Sequence, residues 1–409
     1  MNRIKYVILG GGMVAGYAAK ELVSHGLGSG ELAIVSADIR MPYERPPLSK
    51  GFLSGKDTEA SILINGPDWY REHGIEVKLN TVVEQVDPDK KLLLSGSGET
   101  LEFQHLLLAT GARARRLDCP GNELQNVFYL RTLEDSETIR SRISNAKQAA
   151  VVGGGFIGME VASVLAQKNI ETTLVIREDR VGSRVFTPAM SAFFEQYYRA
   201  RGVRIVRQAN IAALEGKHEI SAVLLDGGRK IPCDSVVVGV GAVPVTQPFA
   251  KSGVAMDNGV VVNEYLETSL AGLYAAGDVA NYPDSIFGKR RRVEHWDNAV
   301  SQGQHWARVI LGERQPFVHV PYFFSDVFDL SYELWGDATG ATETVLRGDP
   351  TSSSFSVWWL KHNRVAAAFV MNRPDDERNI APEWVRASQT ISPERLAAQG
   401  RPVLEAMQS

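Results

Sequence analysis

Short apolar runs that end in glycine set the rhythm of the chain. Residues 4–9, Ile-Lys-Tyr-Val-Ile-Leu, are brief and β-branched, as a strand buried on both faces requires. Gly10, Gly12 and Ala15 follow, and the residues from Gly16 to Val23 predict a helix. Residues 32–35 then predict a second strand. The same order returns in mid-chain: a strand at 149–152, Gly153, Gly155 and Gly158, a helix to about Gln167, and a strand at 172–176. Each copy is closed further on by an apolar strand running into glycine, over 106–111 in the first and 235–241 in the second. A further strand, 272–279, presents Asp278 just behind a glycine. From Pro316 the pattern changes to alternation, with strands at 354–360 and 364–370 joined by the polar turn 361–363. Residues 390–409 are helical in composition.

The glycine spacing carries chemistry. A strand that turns sharply into a helix aims the free N–H groups and positive dipole end of that helix at a pyrophosphate. In the first copy, Gly10 permits the turn, Gly12 removes the side chain that would block phosphate, and Ala15 allows close helix–strand packing. Gly153, Gly155 and Gly158 repeat the arrangement, and Asp38 stands where a carboxylate accepts from ribose hydroxyls. Two such units imply two nucleotide cofactors, or one and a relic, on an α/β fold of two dinucleotide-binding domains. The basic and apolar start mimics a secretory signal, but its internal recurrence argues for structure instead.

Composition removes several alternatives. The 409 residues suit two to three domains. Lys and Arg total 44 against 48 Asp and Glu, so field-driven binding to nucleic acid or an anionic membrane is not expected. No apolar run is long enough to span a bilayer. The two cysteines, Cys119 and Cys233, form no CxxC pair, which fits a reducing, cytoplasmic setting. The histidines show no metal spacing, and the glycine loops lack the Lys-Ser/Thr of nucleoside triphosphatases. No metal site is proposed, and the oligomeric state stays open.

The two units, the Ala109-Thr110-Gly111 stretch and the late Gly277-Asp278 together resemble the flavoproteins with two dinucleotide-binding domains. Residues 42–50, Pro-Tyr-Glu-Arg-Pro-Pro-Leu-Ser-Lys, are similar to a segment shared by ferredoxin reductases, monodehydroascorbate reductases and apoptosis-inducing factor. Leu130, Arg131 and Asp135, the run 293–299 and the run 321–326 match further segments of that group. The resemblance implies FAD in the first unit and NADH or NADPH in the second. The redox-active cysteine pair of the disulfide reductases is missing from residues 38–50, so electrons are expected to leave the flavin directly.

Carried onto this chain, the resemblance assigns Gly10, Gly12, Ala15, Gly16, Asp38, Arg45, Lys50, the Val83 backbone, Ala109, Thr110, Gly111, Arg131 and Asp278 to FAD. Gly153, Gly155, Phe156, Ile157, Gly158, Arg177, Glu178, Arg184 and Gly241 would hold the nicotinamide coenzyme. Lys50 and Glu160 resemble a Lys–Glu pair beside flavin N5, where a fixed cation stabilises the reduced, anionic ring. On residue type alone, Glu160 would read as a solvated helix carboxylate. Glu294, His295, Trp296 and Phe324 would face the flavin, with His295 as a wall more than a proton carrier.

Two choices stay open at this level. Ile176 stands where a carboxylate would select NADH; Arg177 and Arg184 favour NADPH, and Glu178 favours NADH. Monodehydroascorbate reductases carry Arg and Tyr where this chain has Val300 and Phe324, which disfavours an ascorbyl substrate. Trp296 and Asn298 instead resemble ferredoxin reductases, and the basic run Lys289–Arg292 suits an acidic iron–sulfur partner, or else is a solvated loop. Reduction of a small radical or quinone, and a signalling role like that of apoptosis-inducing factor, are the alternatives. The expected domains are an interrupted FAD domain (1–115 and 245–315), an NAD(P) domain (116–244) and a small α+β domain (316–409). Trp335, Trp358 and Trp359 are expected in a core.

Overall fold

The computed structural model describes residues 3–407. The chain forms two compact units. One runs to Arg45 and takes in Glu59–Arg113 and Val243–Pro321; the other consists of Pro46–Thr58, Ala114–Ala242 and the residues from Tyr322 onward.

The first unit is built on a parallel sheet in the order Glu76–Lys78, Leu32–Val35, Ile4–Leu9, Thr100–Leu108, with Leu273–Ala275 pairing on the last of these. Leu9 pairs with both Val35 and Leu108, so three strand ends reach the same level. The near-continuous apolar runs follow from burial on both faces; Val7, Ile8, Ile34, Leu107 and Leu108 are inaccessible to solvent. Helix Met13–Ser24 begins earlier than the sequence suggests. Gly12 is extended (φ −88°, ψ −162°) and acts as N-cap, so the glycine loop is shorter and its N–H groups come from residues nearer the strand.

The second unit repeats the plan with five parallel strands in the order Arg204–Val206, Glu171–Val175, Gln148–Val152, Ser235–Val238, Val127–Tyr129. Val152 pairs with both Val175 and Val238, the counterpart of Leu9. Helix Phe156–Gln167 leaves the second glycine loop. The same unit holds an antiparallel sheet, ordered Tyr322–Val327, Leu330–Gly336, Arg364–Met371, Ser354–Lys361, Glu343–Asp349. Its hairpin at 361–364 turns on His362 (φ 51°) and Asn363 (φ 60°), two left-handed residues whose twist matches that of the paired strands. An aromatic core joins this sheet to helix Pro188–Ala200: Phe194 lies 4.8 Å from Phe186 and 5.1 Å from Tyr332, and Tyr332 lies 5.3 Å from Phe369. Trp335, Trp358 and Trp359 are buried, as expected for core residues.

Two local expectations are corrected. The run 272–279 is a strand only over Leu273–Ala275; at Gly277 (φ 76°) the chain turns into a 3-10 helix, Gly277–Val279, that contains Asp278. The tail from 390 is helical only at Pro393–Ala397 and, as a 3-10 turn, at Val403–Ala406, with Gly400 (φ 83°) and Pro402 between them; residues 408 and 409 lie outside the described residues. Helix Asp375–Ala387, on the other hand, is found where no element was expected. Among the described residues no helix is long and apolar enough to cross a membrane.

Candidate active site

In the first unit the glycine loop is shaped by contacts that leave no room for side chains, except where a ligand belongs. Gly10 has φ 125°, and a side-chain carbon there would lie 2.2 Å from the Ala109 carbonyl oxygen. At Gly16 it would lie 2.8 Å from Ile64 Cδ1, so the helix packs tightly at that point, and Ala15 is wholly buried. At Gly12 it would meet only the Arg45 guanidinium, at 3.8 Å. No side chain caps helix Met13–Ser24. An uncapped helix start, a gap at Gly12 and an arginine across that gap fit an anionic pyrophosphate.

The remaining first-unit candidates are each fixed by contacts of their own. Asp38 accepts from Tyr43 Oη at 2.9 Å and from the Arg40 N–H at 3.1 Å, which fixes its carboxylate and leaves lone pairs for ribose hydroxyls. Val83 is buried at the start of strand Val83–Asp87. Ala109 is buried, Thr110 Oγ1 donates to the Val245 carbonyl at 2.6 Å, and Gly111 (φ 66°) accepts from the Val245 N–H at 3.0 Å. The Asp278 turn is held from two sides. Its Gly277 N–H donates to Gln302 Oε1 at 2.7 Å, Gln302 in turn bonds Asn298 at 3.3 Å, and Arg292 Nη1 donates to the Asp278 carbonyl at 2.9 Å. Asn298, 2 % exposed, therefore supports the loop from within.

His295 is the N-cap of helix Trp296–Ile310, its Nδ1 accepting from the Asp297 N–H at 3.4 Å. Glu294 pairs with Arg292 at 2.5 Å. Trp296 Nε1 donates to Glu44 Oε2 at 2.5 Å. The basic run is not a loop but a strand, Lys289–Arg291, and much of it is engaged: Arg291 pairs with buried Asp284 at 2.9 Å, Arg292 pairs with Glu294, and Arg290 donates to the Val262 and Asn281 carbonyls. Lys289 and Arg290 stay exposed.

The second unit repeats the loop with different consequences. Gly153 (φ 116°) would place a side-chain carbon 2.2 Å from the Gly239 carbonyl, and Gly158 would place one 1.9 Å from the Gly153 carbonyl. Gly155 and Gly241 face open space, and helix Phe156–Gln167 is likewise without a side-chain cap. Ile157 is 42 % exposed on this helix. Ile176 is buried and packs against Gly154, whereas Arg177 is exposed with Glu178 4.0 Å away, and Arg184 is exposed. This unit therefore presents a carboxylate and a cation just past the strand end, with the exposed Arg184 farther along the segment that leads to helix Pro188–Ala200.

Also within the second unit is a buried charged cluster. Lys50 Nζ lies 3.0 Å from Glu160 Oε1. Glu160, only 3 % exposed, also accepts from Ser325 Oγ at 2.6 Å and, on its other oxygen, from Ser49 Oγ. The expectation of a solvated carboxylate is thus replaced by an acceptor with both oxygens filled. Phe324 lies 4.7 Å from Lys50 Nζ, a cation–π contact, and Phe323 stacks on Phe156 at 5.9 Å. The Arg131 N–H donates to Asp135, which forms a capping box with Thr132 at the start of helix Leu133–Ile143. Cys233 belongs to the hydrophobic core of this unit and the half-buried Cys119 packs against it; burial raises both thiols, Cys233 to about 12. Ser49, Glu44 and Ser325 lie inside the segments 42–50 and 321–326, but nothing local names their partners, which lie 111, 252 and 165 residues away along the chain.

Comparison with known proteins gives a consistent picture. The family model described as pyridine nucleotide-disulphide oxidoreductase matches residues 4–303, and the reductase C-terminal model matches residues 322–407. Peroxisomal monodehydroascorbate reductase 4 of Arabidopsis thaliana is 37% identical, over 97% of this chain and 85% of the relative. Peroxisomal monodehydroascorbate reductase 1 of Oryza sativa subsp. japonica is 38% identical, over 95% of this chain and 87% of the relative. Among solved structures, the covalent putidaredoxin reductase–putidaredoxin complex matches with a TM-score of 0.94 at 31% identity, over 99% of this chain and 98% of that one. The ferredoxin reductase for the CYP199A2 system of Rhodopseudomonas palustris matches with a TM-score of 0.93 at 31% identity, over 99% of this chain and 100% of that one.

Proposed function

Because this chain belongs to the pyridine nucleotide-disulphide oxidoreductase family, and is an FAD-dependent NAD(P)H oxidoreductase, we propose that its electrons go to a ferredoxin-type iron–sulfur protein. Bound FAD would supply the chemistry that takes one hydride, two electrons, from the coenzyme and releases those electrons singly. The chain's own residues bind, orient and polarise. Gly10, Gly12, Ala15, Gly16 and Arg45 would cradle the FAD pyrophosphate, Asp38 the ribose, and Val83, Ala109, Thr110, Gly111, Arg131 and Asp278 the rest of its length. Residues 1–115 with 245–315, 116–244 and 316–409 would serve as the FAD, NAD(P)H and acceptor-side domains. Lys50 would stabilise negative charge on the reduced ring. Glu160 fixes that lysine, and Ser49 and Ser325 fix Glu160. Glu294, His295, Trp296 and Phe324 would line the flavin, and no general acid or base is assigned.

The observation that carries the acceptor reading is an apolar residue at each of two positions, one in each unit. Val300 is 9 % exposed, and Phe324 covers Lys50 where a hydroxyl-bearing ring would serve a small anionic radical. Both positions lack the polar groups that ascorbyl recognition uses in the resembling reductases. The related ferredoxin reductases support the same reading. Exposed Lys289 and Arg290 would guide an acidic partner.

The test is reoxidation of the NAD(P)H-reduced enzyme in a stopped-flow mixer with ferredoxins, ascorbyl radical and a quinone. Fastest reoxidation by an iron–sulfur protein, weakening as salt is raised, is expected. A preference for the ascorbyl radical would move the protein to the second reading, which the identity with monodehydroascorbate reductases favours. Negligible turnover with every acceptor would leave a signalling flavoprotein. For the coenzyme, exposed Arg177 supports NADPH, or use of both forms, with Glu178 as its counterweight.

A further inference from the structure

One aromatic ring of the first unit is held in an unusual way. The strand Lys289–Arg291 leads within a few residues to Trp296, the first residue of helix Trp296–Ile310. The Trp296 indole donates to Glu44 Oε2 at 2.5 Å, and Glu44 Oε1 accepts from the Tyr17 hydroxyl at 2.5 Å. Tyr17, on helix Met13–Ser24, meets the indole edge-on, with ring centroids 6.5 Å apart at 89°. The Glu44 backbone is fixed as well, its N–H donating to the Ile62 carbonyl at 2.8 Å. The indole N–H can only donate, so it needs an acceptor, and the Tyr17 hydroxyl fixes that acceptor from the other side. The carboxylate thereby locks the indole, although Trp296 is still partly exposed.

A large aromatic side chain that is partly exposed and cannot rotate is a ready docking anchor, because it loses little conformational freedom when a partner covers it. The exposed cations Lys289 and Arg290 lie just before it in the chain and suit the rim of such a contact. We infer that Glu44, together with Tyr17, is a positioning residue for the acceptor protein: it presets the Trp296 indole as the anchor on which an acidic iron–sulfur protein seats. The inference rests on the acceptor reading above and narrows it to one clamp.

The test is steady-state reduction of acidic [2Fe–2S] ferredoxins, putidaredoxin among them, by the FAD-loaded wild type and by Glu44→Ala, Glu44→Gln and Tyr17→Phe. Glu44→Ala should raise the KM for the iron–sulfur protein about tenfold and leave its kcat within about twofold. It should also remove the contribution of Trp296, one of seven tryptophans, from the near-ultraviolet circular dichroism. Glu44→Gln can still accept from the indole and donate to the phenol, so it should keep a KM close to that of the wild type. Tyr17→Phe, which leaves the Glu44–Trp296 bond intact, should raise KM about threefold. A KM unchanged in Glu44→Ala, or in Tyr17→Phe should Glu44→Ala not fold, overturns the clamp while the acceptor reading stands. A wild type inert toward every iron–sulfur protein removes both.

Discussion

The two glycine loops share one backbone solution and differ in almost everything attached to it. Gly10 and Gly153 adopt nearly the same conformation (φ 125° and 116°), and each would press a side chain to 2.2 Å from a carbonyl of the neighbouring strand. Beyond that point they diverge. In the first unit the strand-end carboxylate, Asp38, is tied to Tyr43 and Arg40, and Arg45 stands across the gap at Gly12. In the second no atom of the described residues lies within 4 Å of a side-chain carbon at Gly155, Ile176 is buried, and Arg177 is 74 % exposed with Glu178 at 4.0 Å. A prearranged, enclosed cradle suits a resident prosthetic group, whereas an open one suits a coenzyme that must come and go.

That contrast can be broken most forcefully at the shared glycine. Gly10→Ala should give protein without flavin colour, while Gly153→Ala should remain yellow yet no longer bleach with NAD(P)H; each clash with a carbonyl, added to a positive φ, should destabilise its loop by at least about 2 kcal/mol. Visible absorbance before and after NAD(P)H reads both. Next in size is Glu160→Ala, which leaves Lys50 and two serine hydroxyls without their acceptor. Flavin reduction should slow by about 10- to 100-fold, measured under anaerobic single turnover. Gly155→Ala sharpens the comparison, since the added carbon meets no protein atom. It should raise the coenzyme KM about tenfold and leave the flavin spectrum intact, because it intrudes only on the ligand's space. Arg177→Ala should lower the NADPH/NADH ratio of kcat/KM by about fivefold; an unchanged ratio would mean that Arg177 does not read the 2′-phosphate.

The smallest effect is one of pH. Burial, helped by Arg308, pushes His305 in helix Trp296–Ile310 down to about 4. The unfolded chain, with an ordinary histidine near about 6.5, then binds more protons than the folded one between these values. The stability that neutral His305 contributes is full above about pH 6.5 and is lost as pH falls toward 4. His305→Phe should flatten the fall in urea midpoint between pH 7 and pH 5, and an identical slope would remove His305 as its cause.

Much of this architecture was legible in the sequence because its signals are local. Doubly buried strands write themselves as apolar runs such as 4–9 and 106–108, and a left-handed turn demands glycine at 10 and 153. The hairpin at 361–364 was legible for the same reason, its turn residues lying beside the strands they join. What stayed hidden depends on distant partners. Nothing near Glu160 announces that Ser49 and Ser325 will close on it, and nothing near Trp296 points to Glu44. Likewise, a run of four basic residues looks like a patch until Asp284 and Glu294 are found beside Arg291 and Arg292. The tail misled because composition cannot tell a long helix from two short turns separated by glycine and proline.

The placement of the two cysteines has a further consequence. A thiol that stays protonated is a poor nucleophile and a poor target for oxidants. With Cys233 held near 12 and Cys119 raised as well, catalysis should survive maleimide, arsenite and mild oxidants that silence dithiol-dependent cousins. In a molecule that passes reducing equivalents from coenzyme to acceptor, that inertness is a form of self-protection.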